Sequence, residues 1–292
     1  MISSPNNISS RWPADQRLAV SLGLAAALVA AILGLVVAFL SKESWPLLRD
    51  IELTRFLTDD GWHPTEQSYG MMPMLTATLA ASFGALLLAA PLGLASALFC
   101  RFYAPPALAR SYRRMLGLLA GIPSVVFGFW GLTVLVPLIA RWEPPGASLL
   151  AAVLILALMV LPTVALTSDT ALGAVPANWL HGAAALGLSR RGMLFGVAIP
   201  AARRGIFAGI LLAAARALGE TMAVLMVAGN VVQSPSSLFD PVRTMTANIA
   251  LEMAYATGDH RASLFVTGLL LTALVLLLVL GTLRNTGEHG HA

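Results

Sequence analysis

The chain has 292 residues, of which 58% are hydrophobic and only 11% are charged, and its mean hydropathy is +0.80. A soluble domain typically carries about 25% charged residues, so this chain has too few charges to cover an aqueous surface. We therefore interpret it as an integral membrane protein. The basic balance of 18 Lys+Arg against 14 Asp+Glu does not by itself predict a nucleic-acid partner, because the location of the charges matters more than their sum.

Two residue types exclude particular chemistry. The single cysteine, Cys100, excludes an internal disulfide and a cysteine-based metal cluster. The single lysine, Lys42, lies in "FLSKES", where it cannot complete a phosphate-binding loop of the form GxxxxGK[ST]. Any nucleotide hydrolysis must therefore be carried out by a partner.

Six stretches meet the requirement of about 20 mostly apolar residues for a membrane-crossing helix. They are 18–40, 71–100, 115–140, 147–168, 205–232 and 262–283. The first is longer than a signal-peptide core and has no clear cleavage site after it, so we interpret it as a retained span. The sequence thus predicts an all-α integral membrane protein with six transmembrane helices.

Basic loops alternate with neutral or acidic ones along the whole chain. The loop 101–114 has four arginines and no acid, and 169–204 has four arginines against Asp169, whereas 41–70 has three basic and six acidic residues. Basic residues in short loops mark the cytoplasmic side, so both termini are predicted to be cytoplasmic.

This topology gives a cytoplasmic segment 1–17, one transmembrane domain 18–283 and a cytoplasmic tail 284–292. The long connection 169–204 is cytoplasmic, and we expect short helices in it that end at Pro200. The two tail histidines have no further ligands nearby, so no metal site is predicted there.

The fifth span, "AAARALGETMAVLMVAGN", contains two charges, Arg216 and Glu220. A charge at the bilayer centre costs about 2.5–3.5 kcal/mol on insertion scales. The two residues share a helix face at i,i+4 and can pair, although this order is the less favourable one. They form either a self-neutralising pair or the wall of a hydrophilic path. In a path, Arg216 would meet an anion through its planar donors, Glu220 would hold the arginine when no anion is present, and Thr221 would offer a hydroxyl.

Four prolines interrupt spans two to four: Pro91, Pro123, Pro137 and Pro162. Proline removes a backbone donor and kinks a helix, although prolines are also generally more frequent in membrane helices than in soluble ones. Carbonyls freed in a membrane must be satisfied by protein or by water in a cavity, which favours a transporter over an anchor. Ser124 and Thr163 directly follow two of these prolines and are candidate contacts for an anion or water.

The cytoplasmic segment "HGAAALGLSRRGMLFGVAIPAARRGI" is either an ordinary surface helix at the headgroups or a docking element. It resembles the cytoplasmic loop of ABC-importer permeases, whose pattern is E-A-A, a glycine four residues later and a hydrophobic-Pro end. Ala183, Gly187 and Pro200 match that pattern, whereas His181 stands at the glutamate position and Gly182 at the first alanine. The resemblance implies that these five residues couple the chain to an ATPase.

Further segments resemble the PstC-type permease subunits of ABC phosphate importers: "GIPSVVFGFWGL", "VLPTVALTSDTALGAVP", "RALGETMAVLMVAGN", "SLFDPVRTMTANIALE" and "DDGWHP". This resemblance implies a type I ABC importer permease fold in the bacterial inner membrane. It also implies three partners, namely a second permease of the PstA type, a cytoplasmic ATPase dimer and a periplasmic phosphate-binding protein. No cofactor is implied, and Arg216 and Glu220 are expected to matter for transport.

Three alternatives remain open from the residues. The first is an importer for another oxyanion such as phosphonate, sulfate or molybdate. The second is a stand-alone secondary transporter in which Glu220 carries a proton, although no second acid lies within the spans. The third is an intramembrane enzyme, which the absence of a serine–histidine or paired-aspartate arrangement in the spans disfavours.

Overall fold

The computed structural model describes residues 12–52, 54–59 and 61–287, with side chains described between 16 and 280. Most of the predicted segment 1–17 and the tail histidines His289 and His291 lie outside the described residues. The helices are α1 (Trp12–Asp50), α2 (Arg55–Thr58), α3 (Met72–Leu98), α4 (Pro106–Ala120), α5 (Ser124–Trp130), α6 (Val136–Ala140), α7 (Leu149–Gly173), α8 (Ala177–Ala185), α9 (Arg190–Met193), α10 (Ile199–Leu218), α11 (Met222–Val227), α12 (Met245–Glu252) and α13 (Gly258–Gly287). Two short strands, β1 (Trp62–His63) and β2 (Ser68–Tyr69), form an antiparallel hairpin between α2 and α3. The all-α fold that the sequence predicts is confirmed, and this hairpin of four residues is a short addition to the helices.

Five helical segments in the described residues are long and apolar enough to cross a membrane, or six if the bent pair of Pro106–Ala120 and Ser124–Ala140 counts as one span. The five are Gln16–Asp50, Met72–Tyr103, Leu149–Gly173, Arg190–Leu218 and Gly258–Leu280. The chain is thus a multi-pass helical membrane protein, as its composition predicts.

The centre of the bundle is the contact of α3 with α7, and α10 packs against both. The face of α3 in this contact has a small residue at every fourth position: Ala77, Ala81, Ala85, Ala89, Gly93 and Ala97. Residues four apart lie on one helix face, and small residues let helix backbones approach closely in a membrane, where apolar burial gives no advantage over lipid. A Cβ atom added to Gly93 would lie 2.8 Å from the Val164 Cβ and 3.1 Å from the Ala165 backbone nitrogen.

Gly117 of α4 and Gly121, which directly follows α4, have the G-x-x-x-G spacing of a helix-packing motif but make no such contact. A Cβ added to Gly117 has no atom of another described residue within 4 Å, and one added to Gly121 reaches only carbonyls of its own helix. A single G-x-x-x-G is therefore a poorer packing signal here than the longer repeat in α3.

Helix α1 has a different relation to the bundle. The most apolar 18-residue window of Gln16–Asp50 has no buried residue, although α1 packs against α13 closer to its end. Phe39 of α1 meets Phe265 of α13 edge to face, with ring centroids 5.6 Å apart. Most of the first span is therefore exposed to whatever surrounds this chain.

Two of the predicted spans differ from single helices. The third stretch, 115–140, breaks between α4 and α5, whose axes differ by 90°. The fifth stretch, 205–232, ends its long helix at Leu218 and resumes as the short helix α11. In contrast, α3 and α7 continue as α-helix through Pro91 and Pro162, so the predicted interruption at those two prolines is wrong.

Pro200 is not the end of a helix, because the chain is helical from Arg190 to Leu218. A wide π-helical turn at Leu194–Ala198 precedes this proline, and another at Gly131–Leu135 precedes Pro137. In both places the carbonyl four residues before the proline lies inside the wide turn. Since proline cannot donate to that carbonyl and clashes with it in a regular α-helix, the wider turn lets the helix continue.

The start of α7 is held by the loop that follows α11. The backbone N–H of Leu149 donates to the Asp240 carbonyl at 2.9 Å, and that of Leu150 donates to the Leu238 carbonyl at 2.7 Å. These bonds satisfy donors that a helix start leaves free.

The Asp240 carboxylate accepts from the Ser236 hydroxyl and from the backbone N–H groups of Ser236 and Ser237, each at 2.8 Å. These bonds, the Ser236 hydroxyl first among them, lower the pKa of Asp240.

A buried carboxylate joins the hairpin to α12 and α13. Glu252 accepts from the Trp62 indole at 2.7 Å and from Arg243 at 2.7 Å, and it contacts the His260 ring nitrogen at 2.8 Å. Its side chain is only 9% exposed. Arg243 also donates to the Asn230 carbonyl at 2.9 Å and to the Asn248 side chain at 3.1 Å. The hairpin, the loop before α12, α12 itself and α13 are therefore connected through one ion-paired group.

The close contact of α3 and α7 gives a first prediction. Gly93→Ala should destabilise the protein by about 1–3 kcal/mol, because the added methyl group meets both a side chain and a backbone atom. The matched control is Gly117→Ala, which gains the same helix propensity at an open position. The measurement is the melting temperature of each variant in detergent. Equal melting temperatures for the two variants would show that the close approach is not needed.

The buried carboxylate gives a second prediction. Glu252→Gln removes the charge that compensates Arg243 and should cost about 3 kcal/mol, the lower end of the range for breaking a buried ion pair. Thermal unfolding followed by Trp fluorescence measures this loss. Glu66→Gln, which changes a more exposed acid in the same hairpin, is the control and should leave the unfolding temperature unchanged. An unchanged value for both variants would contradict the structural role of Glu252.

Candidate functional site

The fifth predicted span is interrupted at Gly219, Glu220 and Thr221, between the end of α10 and the start of α11. Arg216 lies in the last turn of α10, and Glu220 lies directly before Thr221, the N-cap residue of α11. A helix carries partial negative charge at its C-terminus and partial positive charge at its N-terminus, so both charges stand where a helix end favours them. The two charges that look misplaced in the sequence belong to the two ends of a broken helix.

Arg216 is exposed within this chain and contacts α7 rather than Glu220. Its Nη1 atom donates to the Thr163 hydroxyl at 3.3 Å. Among the described side chains, Arg216 and Glu220 form no ion pair, because the helix ends before Glu220 and the two residues no longer share a face. The predicted i,i+4 pair is therefore wrong.

Glu220 acts as a cap and as an anchor of the break. Its Oε1 atom accepts from the Ala223 backbone N–H at 3.2 Å, which satisfies one of the free donors of α11. Its backbone carbonyl accepts from the Thr246 hydroxyl at 2.8 Å, and Thr246 lies in the first turn of α12. The irregular backbone is thus held by side chains from two sides, as non-helical backbone within a membrane protein requires.

The break lies beside the other broken span. Helices α11 and α5 pack together, and a Cβ added to Gly128 of α5 would lie 2.9 Å from the Ala223 Cα. Ser124 is the first residue of α5, is half-buried, and its hydroxyl makes no hydrogen bond within the described part of the chain. The Thr221 hydroxyl donates to the Gly219 carbonyl at 3.4 Å.

The candidate residues are therefore brought together to different degrees. Arg216 and Thr163 are in direct contact, Glu220 and Thr221 form the break, and Ser124 starts the helix that packs against α11. No hydrogen bond joins Ser124 to Arg216. Of the five donors of a guanidinium, Arg216 uses one toward the described residues, so the rest can bind an oxyanion in planar geometry. In the described residues, no group of three or more His, Cys, Asp or Glu side chains is placed to hold a metal ion.

The predicted coupling segment has a helix–turn–helix geometry. Helix α8 ends in a turn in which the Gly187 N–H donates to the Ala184 carbonyl at 3.0 Å, and Gly187 has a φ of +78°, a value that favours glycine. The Ser189 hydroxyl then caps α9 by accepting from the Gly192 N–H at 3.2 Å. Ala183 is buried, whereas the other predicted coupling residues are exposed: His181, Gly182, Gly187 and Pro200.

Two apolar side chains extend the exposed surface of this segment. Trp179 is 57% exposed and Leu186 is 82% exposed, and both flank the buried Ala183 on α8 or directly after it. Neither residue was predicted from the sequence, although large apolar residues in a predicted polar loop are a signal for a protein contact.

Two contacts around the break were also missed. Thr246, which holds the Glu220 carbonyl, and Arg243, which pairs with Glu252, both lie in the quoted segment "SLFDPVRTMTANIALE" but were not selected as site residues. The only available signal was a cluster of hydroxyl and charged residues after a proline in a loop of a membrane protein. Their partners lie 26 residues away for Thr246 and nine residues away for Arg243, so spacing alone could not identify them.

Comparison with known proteins places this geometry in a family. Residues 89–285 match the family described as the binding-protein-dependent transport system inner membrane component. The chain is 38% identical over 240 residues to the probable ABC transporter permease protein YqgH of Bacillus subtilis, covering 80% of this chain and 78% of that protein. It is 35% identical over 277 residues to the phosphate transport system permease protein PstC of Mesorhizobium japonicum, covering 87% of this chain and 84% of that protein.

The fold is similar to that of a solved transporter. A chain in an inward-facing structure of the MetNI methionine ABC transporter superposes with a TM-score of 0.56 at 19% sequence identity, covering 74% of this chain and 92% of that one. This likeness supports the type I ABC importer permease fold that the sequence predicts. From its family match and its relatives, the chain belongs to the binding-protein-dependent transport system inner membrane components.

Proposed function

We infer that this chain is the membrane-spanning permease subunit of an ATP-driven importer that moves inorganic phosphate into the cytoplasm. The observation that carries this function is the exposed guanidinium of Arg216 at the break between α10 and α11, in a chain with PstC relatives over most of its length. Phosphate carries one or two negative charges near neutral pH, and arginine presents a planar set of donors that stays protonated.

We propose that the anion path runs along the surface formed by Arg216, Thr163 and the 219–221 break, with Ser124 on the neighbouring broken helix. The dipole of α10 favours the arginine at its position, and Glu220 is held by the α11 backbone, so no acid among the described side chains neutralises the guanidinium. An anion that reaches this surface meets a fixed positive charge and hydroxyl donors. Glu220 then serves the path by shaping the break rather than by holding Arg216.

ATP is hydrolysed by partner subunits and not by this chain. A cytoplasmic ATPase dimer docks on the segment 177–200 through α8, whose exposed Trp179 and Leu186 supply apolar contacts and whose Gly187 turn orients α9. Because the chain is helical from Arg190 to Leu218, a displacement of this segment is transmitted along one continuous rod to the break beside Arg216. Binding and gating, with no covalent chemistry in this chain, are sufficient for the function.

The remaining parts of the assembly follow from the predicted topology. Both termini lie in the cytoplasm, the chain crosses the inner membrane, and a second permease of the PstA type completes the path. A periplasmic phosphate-binding protein delivers the anion at the end of the bundle that holds the β1–β2 hairpin, the Glu252 network and the loop 228–244. Importers of other oxyanions share this chemistry, and competition of phosphate uptake by sulfate, molybdate and phosphonate separates them.

The role of Arg216 gives a third prediction. Arg216→Gln keeps a side chain of related length and a hydrogen-bonding end but removes the charge, so phosphate uptake should fall at least tenfold with normal assembly. Uptake of labelled phosphate into vesicles containing the full complex measures this loss. Arg141→Gln, which removes an exposed arginine from the 141–146 link, is the matched control and should transport normally. Uptake close to that of the unmodified protein in Arg216→Gln would refute the anion path.

The role of Glu220 gives a fourth prediction, which also tests the secondary-transporter alternative. Glu220→Gln keeps a side-chain oxygen that can cap α11, so uptake should change by less than about threefold. Glu220→Leu removes the cap and should reduce uptake much more. If Glu220 carried a proton, Glu220→Gln would abolish uptake as completely as Glu220→Leu does, and uptake would continue without ATP.

A further inference from the structure

Helix α4 is unlike the other long helices of the protein. Its axis lies at 90° to the segment formed by α5 and α6, which completes the third predicted span. In a protein whose spans cross a membrane, a helix perpendicular to a span lies close to the plane of the membrane. Arg113 fixes its position by a two-bond ion pair with Asp169 near the end of α7, at 2.8 and 2.9 Å.

The side chains of α4 are sorted around its axis. Ala109 and Leu116, seven residues apart, are buried against the bundle. Leu108 and Met115, also seven residues apart, are 49% and 66% exposed on one flank. Arg110 and Arg114, four residues apart, are exposed on the other flank. Helical spacing places these three pairs on three separate faces.

The exposed arginines of this helix have no acidic partner in the described chain. Arg110 donates only to the Pro106 carbonyl of its own helix, at 3.2 Å, and Arg114 makes no hydrogen bond or ion pair with the described residues. The segment 101–120 contains no Asp or Glu. Among the arginines of α4, Arg113 alone forms an ion pair with a described acid, Asp169.

From this arrangement we propose that α4 is an interfacial helix that binds the headgroups of anionic phospholipids. An amphipathic helix in the membrane plane places its apolar flank at the boundary of the acyl chains and its basic flank at the headgroups. Leu108 and Met115 form the apolar flank at the acyl chains, and Arg110 and Arg114 form the basic flank at the headgroups. The bend at Gly121–Pro123 connects this lipid-bound helix to α5, which packs against α11 beside Arg216.

This proposal does not depend on which solute the protein transports. Its test measures how strongly brominated lipids quench the fluorescence of a label at one site on α4. A fluorophore is attached to Ser111→Cys in a Cys100→Ala background, since Ser111 is exposed on α4 beside Arg114 and Met115. The full complex is placed in phosphatidylcholine vesicles containing 25 mol% phosphatidylglycerol. Bromine atoms are carried either by the phosphatidylglycerol or by an equal mole fraction of the phosphatidylcholine.

We expect brominated phosphatidylglycerol to quench the fluorophore more strongly than brominated phosphatidylcholine. The combined variant Arg110→Gln and Arg114→Gln should lose most of this preference, since each basic residue near an anionic surface contributes roughly a fivefold preference. Salt should weaken the preference without any substitution, which tests it even if that variant misfolds. Arg141→Gln should retain it. Quenching by neither lipid would mean that a protein subunit covers α4, and equal quenching by both would mean no selectivity for charge; either result overturns the proposal.

Discussion

The break between α10 and α11 depends on one requirement of a membrane interior, namely that every backbone polar group finds a partner. Glu220 satisfies an N–H of α11, and Thr246 satisfies the Glu220 carbonyl from α12. Without these two contacts the chain could not leave the helix at Gly219. Because it does leave the helix there, Arg216 stands at a helix end instead of in the middle of a continuous apolar rod. The position of the charge is a consequence of how the break is satisfied.

The parts of this fold that follow from hydrophobicity could be predicted from the sequence. Composition and the lengths of the apolar stretches predicted a multi-pass helical membrane protein, and the family resemblance predicted the permease fold. The positions of helix interruptions were harder to predict from the sequence, because proline is only one of the causes of an interruption. Pro91 and Pro162 sit inside continuous helices, whereas the break at residues 219–221 contains no proline.

The candidate site could be predicted only in part for the same reason. Arg216 and Thr163 were selected for separate reasons, and the structure joins them across two helices. The predicted pairing of Arg216 with Glu220 assumed a regular helix, and that assumption fails two residues after Arg216. Thr246 could not have been assigned to this place, since its partner is a backbone carbonyl and a carbonyl has no signature in an amino-acid sequence. Contacts to the backbone are the class of interaction that sequence patterns describe least well.

Helix α1 leads to a different kind of conclusion. Residues 16–36 are all exposed within this chain, whereas the later turns of α1 are held by α13, in part through the Phe39–Phe265 contact. The exposed residues 16–36 are therefore constrained more by their length and apolar character than by the shape of a neighbour within the protomer. Exchanges among leucine, isoleucine and valine there do not change the internal packing of the subunit. Sequence variation in this part of α1 is therefore limited by what surrounds the helix and not by the fold of the chain.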